Sequence, residues 1–280
     1  MIAFQGERGA FSEEALIRYF GGQAAPLPCR TFVDAFEAVA SERAAFGVVP
    51  VENSQGGSIA EVYDLLRHHS LHTIGEICHP VDQCLMALPG QTIGDIKRVI
   101  SHPQALAQCD QYLRGLGVEV TATYDTAGSA RQIREEGLVG VAAVASAKAA
   151  ELYGLDLLAR AIQTVKENVT RFVVLSREPG GRQEGPQKTM LVMAVRHTPG
   201  SLYYALGCLA SRGINLQKIE SRPSREKPWE YVFYLEFEGH REDELVRAAM
   251  ADLEAHTTFY KVLGSFPRYG GIDEIPPRND

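Results

Sequence analysis

The run Glu178 to Pro186, Glu-Pro-Gly-Gly-Arg-Gln-Glu-Gly-Pro, decides how this chain can be divided. Glycine, proline and charge dominate it, so it reads as a linker between two folding units. Beyond it, apolar periodicity predicts a strand over Thr189 to Arg196, a helix over Gly200 to Arg212, and strands over Asn215 to Glu220 and Trp229 to Phe237. A helix over Glu242 to Ala255 and a strand over Tyr260 to Phe266 complete it. Leu202, Ala205, Leu206 and Leu209 recur at helical spacing, whereas Trp229, Tyr231, Phe233, Leu235 and Phe237 alternate. The order βαββαβ predicts a ferredoxin-like fold. That fold serves many functions, so its role has to be read from a site.

Before the linker a different unit recurs: a short apolar strand, a turn rich in Gly, Ser, Thr or Asn, then a helix. Ile2 to Gly6 leads through Glu7-Arg8-Gly9-Ala10 to a helix with Ser12 as its expected N-cap. Thr31 caps a helix whose Phe32, Ala35, Phe36 and Val39 form a core stripe. Phe46 to Val51 ends in Glu52-Asn53-Ser54-Gln55-Gly56-Gly57-Ser58 before a helix at Ile59 to Leu66. Leu71 to Val81 and Gln83 to Leu88 read as long strands where a second lobe begins. Lys97 to Ser101 delivers Ser101, His102 and Gln104 to a helix started by Pro103, Val118 to Tyr124 delivers Asp125 and Thr126, and Val139 to Ala145 delivers Ser146. Helix N-termini carry unpaired N–H groups and partial positive charge, so a cleft lined by them is an anion trap. Finally, Asn168-Val169-Thr170-Arg171-Phe172 opens the apolar run Phe172 to Leu175. Beside a cleft, Thr170 is able to donate to a leaving oxygen and Arg171 to hold a carboxylate; as plain strand composition the stretch is ordinary.

The chain has 280 residues, 45% hydrophobic and 22% charged, enough for about two domains. A net charge of −7 and the lack of a Lys/Arg-rich block argue against nucleic acid. Met1 leads straight into Ile2-Ala3-Phe4, without a basic segment and long apolar core, and no apolar run reaches membrane-spanning length; the reading is a cytoplasmic protein with no membrane partner. Cys29, Cys78, Cys84, Cys109 and Cys208 form no C-x-x-C pair and read as reduced, mostly buried thiols. His68, His69 and His72 lack the intervening glutamate of a zinc helix and read as a solvated helix end, so no metal is expected.

Asn168 to Phe172 resembles the Thr-Arg-Phe motif of the prephenate dehydratases, and Pro50 to Ile59 resembles that family's Glu-Asn-Ser-x-x-Gly loop. Ser101-His102-Pro103-Gln104-Ala105 resembles another of its stretches, and Glu220-Ser221-Arg222-Pro223 the phenylalanine-binding motif of its ACT domain. The likeness runs from about residue 2 to about residue 268. It implies an α/β catalytic domain over 1–177 with two lobes, like a type II periplasmic-binding protein, then a linker over 178–187, a βαββαβ ACT domain over 188–268 and a tail over 269–280. The implied reaction converts prephenate to phenylpyruvate, carbon dioxide and water, with no cofactor. Thr170 is the expected donor to the leaving hydroxyl, with Glu52 or His102 as reserve acid. Substrate contacts are expected from Asn53, Ser54, Gly57, Ser58, Ser101, Gln104, Arg171, Phe172, Gly6, Gly9, Ser12 and Thr126. The family often has a second hydroxyl where this chain has Ala10, and often alanine where it has Ser201. L-phenylalanine is the implied effector, bound where ACT domains of a homodimer or homotetramer pair, by Gly200, Ser201, Leu202, Asn215, Leu216, Glu220, Ser221, Arg222 and Pro223. Two other readings stay open: arogenate dehydratase, for which Asp125 would meet the substrate ammonium, and a non-catalytic amino-acid sensor.

Overall fold

The computed structural model describes residues 1–224 and 230–270. Trp229 and the tail from 271 lie outside the described residues. The chain begins with β1 (Ile2–Gln5), α1 (Phe11–Phe20), β2 (Pro26–Cys29), α2 (Phe32–Ala40), β3 (Phe46–Asn53), β4 (Gly57–Ser58), α3 (Ala60–His68) and β5 (His72–Pro80). A second lobe follows: β6 (Cys84–Ala87), β7 (Arg98–Ser101), α4 (Pro103–Gln108), α5 (Asp110–Leu116), β8 (Glu119–Ala122), α6 (Thr126–Glu136), β9 (Val141–Ala145), α7 (Ala147–Tyr153) and β10 (Asp156–Ala159). The chain then returns as β11 (Val169–Ser176). Last come β12 (Gln187–Ala194), α8 (Ser201–Ala210), β13 (Leu216–Pro223), β14 (Tyr231–Glu238), α9 (Glu244–Ala255) and β15 (Phe259–Pro267).

The first lobe's sheet has the order β2-β1-β3-β11-β5, with β4 antiparallel to β3. Its middle is therefore made of strands far apart in sequence, since β11 returns from the second lobe to lie between β3 and β5. The second lobe's sheet runs β10-β6-β9-β7-β8, and its core gathers Leu85, Val99, Leu106, Leu113 and Val144 from the strands and from α4 and α5. This is the expected two-lobed α/β architecture. Neither β2 nor β10 is predicted by periodicity, and both are edge strands. In β2, Pro26 and Pro28 each lack an N–H, which an edge tolerates and a central strand does not.

Two local expectations need correction. Ser12 does not cap α1: the N-cap is Ala10, with no side-chain bond, because Glu13 folds back to accept the Gly9 N–H at 2.5 Å and to pair with Arg8. Gln187, placed in the linker by its neighbours, is the first residue of β12. Thr31 does cap α2, within a reciprocal capping box with Asp34.

Two compact units divide the described residues. The first holds Met1–Val62 and Ile77–Phe172; the second holds Tyr63–Glu76 with Val173 through residue 270. Their limits fall inside α3, β5 and β11 rather than at the Gly/Pro linker. In the second unit β13-β14-β12-β15 form an antiparallel sheet, the βαββαβ order read from the sequence. Leu191, Met193, Leu235 and Phe237 face α8 and α9, which contribute Ala205, Leu209, Val246 and Leu253. Unlike a sheet solvated on its other side, this one also buries Val232, Tyr234 and Glu236. They are covered by the Tyr63 to Glu76 segment, where the Tyr234 hydroxyl donates to the Tyr63 carbonyl at 3.0 Å. Lys261 Nζ donates to the carbonyls of Leu66 and Arg67 at 2.8 Å each and of His69 at 2.5 Å, satisfying the open C-terminus of α3.

A buried ion cluster of this unit centres on Lys188, whose Nζ sits 2.7 Å from Glu76 Oε2 and 2.8 Å from Glu236 Oε2, all three side chains nearly solvent-free. The Tyr269 N–H donates to the other Glu76 oxygen at 3.0 Å. Removing the cation would leave two buried carboxylates facing each other. Lys188→Met is expected to lower unfolding free energy by about 3–5 kcal/mol, measured by urea titration, whereas Lys188→Met with Glu76→Gln and Glu236→Gln recovers much of it.

Candidate active site

Because β11 lies beside β3, the ends of both strands meet at one point. Asn53, buried at the end of β3, donates from Nδ2 to Asn168 Oδ1 at 2.7 Å and to Thr170 Oγ1 at 2.9 Å. Its Oδ1 accepts the N–H groups of Gln55 at 3.0 Å and Gly56 at 2.8 Å, a turn that shapes the loop. A hydroxyl has one hydrogen and two lone pairs. With Asn53 donating to its oxygen, Thr170 keeps its own hydrogen for a group in the adjoining pocket.

That pocket is a cavity of about 320 Å³ inside the first unit, toward the small end of the roughly 300–1,000 Å³ usual for small-molecule sites. Thr170 and Phe172 reach it from β11, Asn53 from β3, and Ala10, Phe11 and Ser12 from the start of α1. The second lobe contributes His102, Gln104 and Gln108 from α4 and its cap, and Tyr124, Asp125 and Thr126 at the start of α6. Three helix N-termini thus open on one cavity, and among the described lining residues there is no lysine or arginine. An anion here is met by backbone N–H groups and helix dipoles.

Gln108 extends the network. Its Nε2 donates to Asn53 Oδ1 at 3.3 Å, and its Oε1 accepts from Asn168 Nδ2 at 3.0 Å and from Gln83 Nε2 at 3.2 Å. Gln163 holds the next position, accepting the Gln83 N–H at 3.0 Å. The remaining Gln83 carboxamide oxygen is buried without a protein hydrogen-bond partner, and Gln83 lines the pocket. Sequence reasoning passed over Gln108 and Gln83. The sign for Gln108 was its spacing, one helical turn beyond Gln104 on the same face.

Two titratable groups sit in the wall. His102 caps α4, its Nδ1 accepting the Gln104 N–H at 3.2 Å, which puts the proton of the neutral ring on Nε2. Burial holds its pKa below the ordinary value, against the pull of Asp125, so at neutral pH it is an uncharged donor. Asp125 caps α6, accepting the Gly128 N–H at 2.7 Å, and burial pushes its carboxyl pKa up. The Gly128 N–H opposes that shift and the Glu7 charge adds to it.

Several expected contacts are elsewhere. Arg171 lies on the strand face opposite Thr170 and pairs with Glu52 at 2.9 Å, so neither lines the pocket as binder or reserve acid. The Ser101 hydroxyl is fully buried and donates to the Val144 carbonyl at 2.5 Å. Ser54 accepts the Val169 N–H at 3.0 Å and pins β11 to the loop. Gly57 and Ser58 form β4, opposite Asn53 and Glu52. The Gly6 N–H is taken by the Cys29 carbonyl at 2.9 Å and that of Gly9 by Glu13. It is Gly56, not Gly57, where the backbone is closely approached: a Cβ there would overlap the Gln104 amide.

The expected effector residues divide between two faces of the four-stranded sheet. Gly200, left-handed at φ 83°, caps α8 and precedes Ser201, whose hydroxyl is 2.7 Å from that of Thr198. Leu202 and Leu216 pack on the helix-side core. Asn215 reaches Glu238 at 3.4 Å. Ser221 and Pro223 are exposed on the edge strand β13, opposite Phe233 and Tyr231. Glu220 and Arg222 point the other way: Arg222 is 3.6 Å from Glu220 and 3.7 Å from Asp64 on α3.

The prephenate dehydratase family model matches residues 2–180, and that of the ACT domain residues 189–255. The chain belongs to the prephenate dehydratase family. It is a dehydratase of the prephenate/arogenate class, in phenylalanine biosynthesis, with a C-terminal ACT domain. An arogenate dehydratase/prephenate dehydratase of Arabidopsis thaliana, named chloroplastic, is 46% identical over 278 residues, covering 95% of this chain and 72% of its own. The prephenate dehydratase of Arthrobacter aurescens, solved with L-Phe, superposes with a TM-score of 0.87 at 33% identity, covering 95% of this chain and 89% of that one. A structure described as a novel type of quorum-quenching acylase superposes at 0.86 with 37% identity, over 96% and 98%. The cytoplasmic reading is overturned: several of these dehydratase relatives are named chloroplastic, and the first residues of this chain do not decide its compartment.

Asn53 carries five of the bonds that shape this wall. Asn53→Ala is expected to cost about 1–3 kcal/mol in urea unfolding, since it strands polar groups of Asn168, Gln55 and Gly56.

Proposed function

We propose that the chain converts prephenate to phenylpyruvate, and that Thr170 assists loss of the ring hydroxyl. The carbon–carbon bond to the ring carboxylate breaks and releases carbon dioxide. Its electron pair moves into the ring as the carbon–oxygen bond opposite breaks, and the departing oxygen takes a proton to become water. Aromatisation supplies the driving force. The observation that carries the reading is the Thr170 hydroxyl: Asn53 occupies its oxygen, so its hydrogen serves an oxygen in the pocket. A threonine hydroxyl is a weak acid, so Thr170 stabilises the leaving oxygen and the proton comes from elsewhere. Asp125 is the pocket carboxyl whose pKa burial raises, which suits it to that supply better than Glu52, paired with Arg171. The carboxylates of prephenate are met by the starts of α1, α4 and α6.

The same carboxyl favours a second reading. Kept ionised, Asp125 would pair with the ammonium of arogenate, and both substrates appear in the relatives' names. The ACT domain supports L-phenylalanine as effector, bound between domains of a homodimer or homotetramer, with the linker over 178–186 joining it to the catalytic part.

Purified protein assayed with prephenate and arogenate, each with and without L-phenylalanine, is expected to release carbon dioxide and phenylpyruvate from prephenate. Thr170→Ala should lower kcat on the order of 10²-fold while remaining folded; an undiminished kcat in that variant removes Thr170 from the reaction. The pH profile separates the two roles of Asp125. As proton source it must be protonated, so kcat falls as pH rises through its raised pKa. As ammonium partner it must be ionised, so activity falls as pH drops through the same value. Asp125→Asn erases whichever limb is present.

A further inference from the structure

The turn closing β1, Glu7 to Ala10, is held by the opposite lobe through contacts the reaction does not use. Ser146, the cap of α7, donates its buried hydroxyl to the Gly9 carbonyl at 2.7 Å, and Tyr153 donates to the Arg8 carbonyl at 2.8 Å. Gly9 lies so close to α7 that a Cβ would come within 2.9 Å of the Ala149 Cα. This inner tier anchors backbone of the turn. Further out lies a second tier of side chains alone. Glu7 Oε1 accepts the Tyr124 hydroxyl at 2.8 Å, and Glu7 Oε2 accepts from Arg131 Nη1 at 2.7 Å. The Tyr124 ring is 47% exposed and the Arg131 side chain 40%, so these bonds exchange with water at little cost, unlike those of Ser146. Tyr124 lines the pocket and immediately precedes Asp125. The Arg30 guanidinium stands 6.0 Å from the centre of the Tyr124 ring, on the same lobe as Glu7.

We propose that Glu7 is a positioning residue: its carboxylate, charged against Arg131, clamps Tyr124 as an outer wall that closes the pocket over bound substrate. The clamp rests on the reading of this pocket as the substrate site. It acts on how firmly substrate is retained, and because the Glu7 charge also adds to the raised pKa of Asp125, kcat is compared at the pH optimum of each variant. Burial and the bond to Glu7 push the Tyr124 phenol pKa well above its ordinary value, so it stays a donor throughout the working pH range. The charges facing the pair are Arg30 and Asp125 beside Tyr124, and Glu135 at 3.8 Å from Arg131.

The test is steady-state kinetics of the full chain with whichever of prephenate and arogenate it turns over. Glu7→Ala should raise KM about three- to tenfold with kcat within about twofold. Glu7→Gln, which keeps an acceptor for Tyr124 but no charge, should fall between it and wild type. Arg131→Met should add nothing to Glu7→Ala in the double variant, because both remove one clamp. Raising salt from about 0.05 to 0.5 M should increase KM more steeply in wild type than in Glu7→Ala, since screening loosens only a charged clamp. Unchanged KM in Glu7→Ala, or a fall in kcat and melting temperature at constant KM, overturns the clamp. Thr170→Ala is assayed alongside. If it is fully active, the site itself is misplaced and the clamp falls with it; if it is inactive while Glu7→Ala keeps its KM, the clamp alone is refuted.

Discussion

The carboxamide of Asn53 is the interaction on which the rest of the site depends. Its oxygen end ties down the loop at Gln55 and Gly56, and its nitrogen end is divided between Asn168 and Thr170. An aspartate of the same size would have no hydrogens to give, and a leucine neither end. Only a carboxamide folds a loop from one strand and polarises a hydroxyl on the next, and the topology is what makes the two strands adjacent. Because β11 enters the first sheet after the whole second lobe has been made, the site forms only when residues more than 110 positions apart have paired. The tie between Asn53 and Asn168 is therefore a contact of high closure cost, stabilised by the Gln108 bonds that bury it.

The electrostatics of the cavity suit a substrate that must lose a carboxylate. A fixed guanidinium against the departing group would favour the ground state and oppose decarboxylation, whereas binding that is stronger in the transition state speeds it. Arg171, the cation nearest in sequence to Thr170, is instead neutralised by Glu52 on the far face of the strand. What remains in the pocket is a set of dipoles: helix starts, carboxamides, a neutral histidine and one carboxyl of raised pKa. Under the proposed reaction, these attract an anion without a single charge anchored to the carboxylate that leaves.

Much of the fold was legible because its signals are local. The capping box at Thr31, the glycine-rich loop before α3 and the alternation in β14 are written within a few residues of where they act. The proline-bearing edge strand β2 was hidden, since its residues look like a loop and pair only because β1 supplies the other side. The site was legible to the extent that it follows strand ends: Thr170, Asn53, His102 and Thr126 all reach the cavity. Ser101 was misread because a hydroxyl at a strand end has two directions to take, and it takes the one toward the Val144 carbonyl of the neighbouring strand. Gly6 and Gly9 were misread for a related reason, because the N–H groups expected to meet substrate are already engaged by Cys29 and Glu13. For Ser101 and Gly6 the competing partner came from another strand, which no local pattern announces, while for Gly9 it stands four residues on.

The partners of Lys188 and Lys261 bear on what counts as a separable piece of this protein. By sequence, the stretch after the linker is an independent βαββαβ module; by packing, it shares a core with Tyr63 to Glu76, which are translated more than a hundred residues earlier. Lys261 closes the last turn of α3, and Lys188 is the counter-ion of Glu76. A fragment ending at the linker would keep Glu76 and the open carbonyls of α3 while losing both cations, and a fragment beginning there would leave Lys261 without those carbonyls and Lys188 with Glu236 alone. Shuffling this ACT part onto another enzyme would carry it away from the segment that covers one face of its sheet, so packing alone binds its inheritance to that of the catalytic part.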